Sequence, residues 1–296
     1  MARKYNLITE LYRETLKDIT SSQSAWLKFL QSACRNYKCR FDEKVLIYAQ
    51  RPEAKAVLEI ERWNKLFGRW VNRGSSGIAV FDDEHNGRSR LKYYFDISDT
   101  HESRFSRPVS IWELKEEHED EVIEALENSF GELEEKGNLD SIFKSVVSNV
   151  IEDNYQDYLE ELIPLCEDSF LEELDERSIS VLFREALNES LFCMLSTRCL
   201  SEELSEDYQL GVDFSTVMNF NTPATINTLG TAVSDMSEMV LKEIALTIRN
   251  INKREQKKNR TFVKDPKSEY SLGAEKEQEK KQRKEEIQKR SGKSEK

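Results

Sequence analysis

Apolar residues recur at steps of three and four through Tyr5, Leu7, Ile8, Leu11, Tyr12, Leu16 and Ile19, which predicts an amphipathic first helix. Thr20-Ser21-Ser22 breaks it, and Ser24 is a suitable cap for a second helix carrying Trp26, Leu27, Phe29, Leu30, Ala33 and Cys34. "FDEKVLIYAQRPEA" predicts a short helix capped by Asp42 and ended by Pro52, because proline removes a helical N–H and restricts the residue before it. Ala54 to Phe67 is expected to continue helically as far as Gly68. There the period changes. Trp70-Val71, Ile78 to Phe81 and Leu91 to Ile97 read as strands, with Asn86-Gly87 as the hairpin signal between the last two.

After Pro108 the pattern returns to period 3.6. "IWELKEEHEDEVIEALENSF", "LDSIFKSVVSNVIEDNYQDYLEELIPL", "FLEELDERSISVLFREALNESLFCML" and "SEELSEDYQL" each place Leu, Ile, Val and Phe on one face and carboxylates elsewhere. Gly137-Asn138, Pro164 and Thr197 to Ser201 read as breaks. A polar loop is expected around Asn221 to Gly230, then a last helix capped by Thr231 or Ser234 and reaching Asn250. The expected fold is an α+β N-terminal module, helices plus a small antiparallel sheet, followed by a mainly α-helical acidic region and a disordered charged tail. The corresponding boundaries are 1–112, 113–250 and 251–296.

Charge sharpens these divisions. The net charge of −12 conceals three blocks. Residues 1–110 hold 20 basic against 14 acidic side chains, net +6; residues 111–210 hold 6 against 29, net −23; residues 211–296 hold 18 against 13, net +5. No run of about 18 apolar residues is present, so no membrane partner is expected, and "MARKYNLITE" lacks the apolar core of a secretory signal. Five scattered cysteines, Cys34, Cys39, Cys166, Cys193 and Cys199, read as reduced thiols of a cytoplasmic chain.

Catalytic signatures are missing from the sequence. His85, His101 and His118 have no histidine partner at helical spacing, and there is no H-E-x-x-H, no phosphate-binding G-x-x-x-x-G-K-[ST] and no G-x-S-x-G. Asp82-Asp83-Glu84 lie in a turn, where contiguous carboxylates are solvated. The reading is therefore not an enzyme: no catalytic residue, no metal ligand and no cofactor.

The stretch Gln50–Arg73 has binding chemistry instead. Arg51, Lys55, Arg62, Lys65, Arg69 and Arg73 interleave with Trp63, Phe67 and Trp70. Single-stranded nucleic acid is held by cations along its phosphates and by flat aromatic faces against its bases. On a helix, Arg62, Lys65 and Arg69 would share one face. Arg51, Arg62, Lys65, Arg69 and Arg73 are thus candidates for phosphates, Trp70 and then Trp63 for stacking, and Gln50 for a base or sugar. Against this, Trp63 and Phe67 also fit a core, and Arg62 and Lys65 also fit an ordinary solvated surface.

"LIYAQRPEAKAVLEIERWNKLFGRWVNRGSSGIAVF" resembles the N-terminal single-stranded-DNA-binding domain of ArdC-type antirestriction proteins, a family that includes LtrC-like proteins of conjugative elements. The matching positions are Leu46, Ile47, Gln50, Arg51, Pro52, Ala54, Val57, Trp63, Lys65, Gly68, Arg69, Val71, Gly74, Gly77 and Ile78. Arg73 stands where the family has Lys, and Ser75-Ser76 replaces a Glu-Lys pair. The head and "FNTPATINTLGTAVSDMSEM" are also similar to the N-terminal region of large Gram-positive mobile-element proteins that carry helicase and methylase modules. The resemblance implies a non-catalytic single-stranded-DNA-binding protein of a mobile genetic element, with a role in antirestriction or conjugation. It implies single-stranded DNA as partner, with a helicase or methylase alongside. It covers no metallopeptidase domain, so no peptidase activity comes with it. A different reading makes the acidic helices the working part, as a protein-binding surface or a DNA mimic that inhibits a host defence nuclease. A third makes the chain the scaffold portion of a larger helicase or methylase protein.

Overall fold

The expected first helix is α1, Ala2–Ile19, with Ile8, Leu16 and Ile19 buried along its apolar stripe. The computed structural model describes residues 2–82, 90–109, 111–133, 138–200 and 212–262. Helix α2, Gln23–Ala33, is capped by Ser22 and not by Ser24: the Ser22 hydroxyl accepts the Ala25 N–H at 3.2 Å. A 3₁₀ turn, Cys34–Asn36, leads to α3, Phe41–Gln50. Arg40, not Asp42, occupies its cap position, and the Arg40 N–H donates to the Glu43 carboxylate at 3.1 Å.

The helix expected over 54–67 does not form as one piece. The Asp96 carboxylate accepts the N–H groups of Lys55 and Ala56 at 2.7 and 3.0 Å, which ties this segment to a strand before a helix can start. Burial acts to raise the Asp96 carboxyl, but hydrogen bonds from Ser98, Ala56 and Lys55 outweigh it and hold the group below its ordinary range. Val57–Glu59 become β1. Helical backbone resumes at α4, Ile60–Arg62, and widens into a π turn, Trp63–Phe67. Gly68 ends it in the left-handed region, φ 63°.

The strands follow the period-2 segments: β2 Arg69–Val71, β3 Ile78–Asp82, β4 Arg90–Asp96 and β5 Thr100–Glu102. One antiparallel sheet has the order β1–β4–β3, with Ile78 opposite Tyr94 and Val57 opposite Asp96. The pair β2–β5 forms a separate two-stranded ribbon. The Asn86-Gly87 turn and His85 lie outside the described residues. Helix α3 packs on β3, and the core between helices and sheet gathers Ile8, Leu46, Ile47, Ala54, Val57, Ile78, Val80 and Tyr94.

The chain beyond 112 is mainly helical. Helix α5 spans Glu119–Phe130, α6 spans Leu139–Leu162 and α7 spans Glu176–Cys199. Asn138 and Asp175 cap the latter two, accepting the N–H of Ser141 at 2.9 Å and of Ser178 at 2.7 Å. "SEELSEDYQL" falls outside the described residues, as does the tail from 263. The loop expected over Asn221 to Gly230 is instead the start of α8, Pro223–Phe262. Pro223 stands in the first turn, where its missing N–H costs nothing, and the Thr222 hydroxyl accepts the Thr225 N–H at 3.3 Å. Gly230 is a packing residue and not a breaker. A Cβ there would stand 2.2 Å from the Phe41 ring, so only glycine lets α8 meet α3 this closely. No helix among the described residues is long and apolar enough to cross a membrane.

The chain divides into two compact units, Met1–Thr247 and Ile248–Lys296, so the boundary expected at 112 falls inside the first. Contacts within that unit cross it repeatedly. The buried Trp26 indole N–H donates to Ser190 Oγ of α7 at 2.9 Å, and the Tyr12 hydroxyl donates to Asn227 Oδ1 of α8. All five cysteines are free thiols; burial pushes Cys34 up to about 11 and Cys39, Cys193 and Cys199 up to about 12. Such thiols are unreactive at neutral pH.

One core residue carries an unmatched charge. Lys44 of α3 is 2% exposed, and its Nζ has no hydrogen-bond partner among the described residues. Burial pulls its ammonium down to about 8, against partial support from the carboxylates of Glu238 and Asp235. The unfolded chain therefore holds a proton between about pH 8 and the ordinary lysine pKa of about 10.4 that the folded chain lacks. The destabilisation is complete below pH 8 and fades as pH rises through that window. Lys44→Met is expected to raise the unfolding free energy at pH 7 by up to about 3 kcal/mol. The gain over wild type should shrink toward pH 10.5 in urea melts at stepped pH; a gain that does not vary with pH would contradict a buried titrating amine.

Candidate nucleic-acid interface

The ribbon β2–β5 grows from the left-handed Gly68. A Cβ at Gly68 would lie 3.0 Å from the Phe105 carbonyl oxygen, so glycine is needed both for the φ and for the approach of the turn after β5. That turn is pinned to the same residue: the hydroxyls of Ser103 and Ser106 each donate to the Gly68 carbonyl at 2.8 Å, and the Arg107 N–H donates to the Phe67 carbonyl at 2.8 Å. Antiparallel register places Trp70 opposite His101 and Arg69 opposite Glu102. Directly opposed residues share a face and successive residues alternate, so Trp70 and His101 take one face and Arg69 and Glu102 the other.

Of the eight sequence-derived site residues, four are committed to the scaffold. Arg69 is only 9% exposed. Its Nε donates to Thr100 Oγ1 at 2.7 Å, Nη1 to Glu102 at 2.7 Å and Nη2 to the Thr100 carbonyl at 3.2 Å. It cannot follow Arg62 and Lys65 along a helix face, because Gly68 has already ended the helix. Arg51 pairs with Asp99 through Nη1, donates to Ser98 at 3.2 Å and lies 3.4 Å from Glu53. Gln50 uses its whole amide within the fold. Its nitrogen donates to the carbonyls of Leu46 and Ala79 at 2.9 Å, and its oxygen accepts the Ala79 N–H at 3.0 Å. Trp63 is fully buried and donates its indole N–H to the Phe95 carbonyl at 2.8 Å, so neither ring face is free to stack on a base.

The other four are exposed: Arg62, Lys65, Trp70 and Arg73. Trp70 is 53% exposed on the open face of the ribbon, beside the His101 ring, whose Nδ1 contacts Asn72 Oδ1 at 2.8 Å. Arg73 stands at the tip of the turn that follows, where the Ser75 N–H donates to the Asn72 carbonyl at 3.2 Å and Gly74 has φ 90°. The structure adds residues that the sequence reading missed. Phe105 is 81% exposed, with the Arg104 guanidinium 6.0 Å from its ring centre, and Arg107 follows. The signal was "SRFSRP", an aromatic residue flanked by arginines in a Ser- and Pro-rich turn. Lys65, Arg73, Arg104 and Arg107 form no ion pair with any described carboxylate, while Glu102 and Asp99 are taken by Arg69 and Arg51. Arg62 lies elsewhere, in a cleft between this module and α7.

Among the described residues no three His, Cys, Asp or Glu side chains converge as a metal site. No family model matches this chain, and no curated protein or solved structure does.

Because Arg69 holds the ribbon together, its replacement is expected to act on stability before anything else. Arg69→Ala removes three hydrogen bonds and leaves the Thr100 carbonyl without this donor, for a loss of about 1–3 kcal/mol. Arg69→Glu sets two carboxylates face to face and should cost more. Urea denaturation of both variants checks this, and wild-type midpoints would show that the ribbon does not depend on the pair.

Proposed function

We propose that the chain is a non-catalytic single-stranded-DNA-binding protein, and that the β2–β5 ribbon with the 103–107 turn is its nucleic-acid face. The observation that carries the reading is the pairing of two solvent-facing rings, Trp70 and Phe105, with Lys65, Arg73, Arg104 and Arg107, none of them matched by a described carboxylate. Unpaired bases offer flat faces to such rings, each stack contributing roughly 1–3 kcal/mol, and the strand's phosphates meet the guanidinium groups. Duplex bases are already stacked on one another and cannot use the rings, so the surface favours single strands. The resemblance of Leu46 to Ile78 to the ArdC-type domain supports the same reading. With it comes a role in a mobile genetic element, protecting incoming DNA during conjugation, alone or beside a helicase or methylase.

A second reading has its own observation. Carboxylates stand exposed from Glu152 to Glu176, among them Asp153, Asp157, Glu160 and Glu161, and the same stretch exposes Phe170 (68%) and Leu165. Such a surface suits a basic protein partner, including the DNA-binding groove of a defence nuclease.

Fluorescence anisotropy of the full chain with single- and double-stranded oligonucleotides tests the first reading. Single-strand affinity should fall as salt rises, with a slope of about −0.7 in log K against log salt for each phosphate met. Trp70→Ala and Phe105→Ala should each weaken binding by about 1–3 kcal/mol. Arg73→Glu should weaken it and flatten the slope by about one phosphate. Salt-independent affinity, or two aromatic variants that bind as wild type, would remove the ribbon from the role. Inhibition of a nuclease without any oligonucleotide binding would favour the acidic surface.

A further inference from the structure

The cleft that contains Arg62 is distinct in composition from the ribbon. Its lining comes from the Arg35–Cys39 turn, from Lys55 to Leu58 at the start of β1, from α4 and the π turn, from Val109, Ile111 and Trp112, and from Arg198 of α7. Five of the lining residues are cationic, Arg35, Lys38, Lys55, Arg62 and Arg198, and no carboxylate is among them. Four of these are exposed at the rim. The wall behind them is apolar and aromatic: Leu58, Leu66, Phe67, Ile111 and Trp112.

The wall is fixed in place by specific contacts. Arg198 lies 3.7 Å from the Trp112 ring centre and donates from Nη2 to the Trp112 carbonyl at 2.6 Å. The Trp112 indole N–H donates to the Tyr37 hydroxyl at 3.3 Å, and the two rings meet edge to face at 6.2 Å. Leu66 and Ile111 remain 44% and 46% exposed, so apolar surface is open to a ligand beside the cations. The cleft encloses about 320 Å³, at the lower end of the range of small-ligand sites.

We propose that this cleft binds a phosphate-bearing nucleotide, with its base on the apolar wall at Leu66, Ile111 and Trp112 and its phosphate among Lys38, Lys55 and Arg62. The charge set decides the class: Arg35 donates to the Pro52 and Ala54 carbonyls and Arg198 to the Trp112 carbonyl, which leaves Lys38, Lys55 and Arg62 exposed with no carboxylate in the lining, a set that suits an anion. Inorganic phosphate would satisfy the cations and leave the apolar wall wet. A nucleotide satisfies both, because its ring is flat and apolar on its faces while its charge is at one end. Two sources share this chemistry, a free nucleotide and the phosphorylated end of a DNA strand. The second source extends the single-strand reading and rests on it. The route is short, since the π turn that ends in Phe67 contributes to the cleft and is hydrogen-bonded to the 103–107 turn through Arg107.

The test uses the full chain, with dTMP and thymidine in calorimetric titrations and with 5′-phosphorylated and 5′-hydroxyl dT₁₀ in anisotropy. The variant is Lys38→Glu/Arg62→Glu; both side chains are exposed and in no ion pair with described residues. Circular dichroism verifies that it folds. The expected result is that dTMP binds, thymidine binds at least tenfold more weakly, and the double variant loses at least tenfold in dTMP affinity while Trp70→Ala retains it. A strand-end role adds at least a fivefold preference for the 5′-phosphorylated strand that the double variant abolishes. Equal affinity for the two strands, with dTMP binding kept, assigns the cleft to free nucleotide. Absence of dTMP binding at millimolar concentration, or dTMP affinity unchanged in the double variant, overturns the proposal. Loss of oligonucleotide binding in Trp70→Ala with no dTMP binding in wild type leaves the ribbon reading standing and removes only the cleft.

Discussion

The geometry of the N-terminal module depends on where one indole goes. Trp63 is enclosed completely, and its N–H finds the Phe95 carbonyl of β4. A buried indole without an acceptor would cost about as much as a lost hydrogen bond, so the ring and the strand position each other. Holding Trp63 there forces the backbone around it. The turn widens to π geometry, Gly68 reverses the chain in the left-handed region, and the next residue enters β2. Alternation along β2 then turns Arg69 inward and Trp70 outward. The same anchoring leaves Arg62, Leu66 and Phe67 along the cleft. Ribbon and cleft are thus two consequences of one buried ring.

The proposed resemblance to ArdC-type domains takes on a different meaning in this light. Most of its matching positions are scaffold. Leu46, Ile47, Ala54, Val57 and Ile78 are core; Gln50 clips α3 to β3; Arg51 and Arg69 are in ion pairs; Gly68 and Gly74 supply positive φ. Lys65 alone among the charged positions faces solvent without a described partner. A pattern of this kind speaks to how the chain folds, because most of its positions are fixed by a buried contact or a backbone requirement. Of the residues proposed to meet a ligand, Arg62, Trp70 and Arg73 lie between those positions and Phe105 lies beyond them, where packing imposes no identity.

That division also explains what could be read from the sequence. The period-3.6 helices and period-2 strands were legible because burial of one face leaves an alternating trace, as in Tyr5 to Ile19 and Ile78 to Phe81. The helix expected over 54–67 failed because tertiary hydrogen bonds donated by the Lys55 and Ala56 N–H groups to Asp96 override local preference, and a partner about 40 residues away leaves no local signal. Gly230 looked like a loop residue, since only the approach of Phe41 reveals why a helix tolerates it there. For the candidate site, composition could not sort the cations of its stretch. Arg62 and Arg69 have similar sequence surroundings, yet one is exposed and the other is enclosed by Thr100 and Glu102. Whether an arginine is available is decided by the partner strand.

Net charge is a poor guide to this molecule for the same reason. A chain of −12 would be expected to repel a polyanion, and the acidic block of residues 111–210 accounts for more than that total. Screening limits the objection. At physiological ionic strength the field of an exposed charge falls off over about 8 Å, so carboxylates several such lengths away contribute little at a phosphate in contact with the ribbon. Contacts within hydrogen-bonding range are barely screened. The local set matters more than the total, and locally the two carboxylates closest to the ribbon in sequence, Asp99 and Glu102, are already engaged by Arg51 and Arg69. Those two arginines touch no ligand in this arrangement. By occupying the nearby carboxylates they leave Lys65, Arg73, Arg104 and Arg107 unopposed, which makes burying a guanidinium in the scaffold part of what gives the surface its sign.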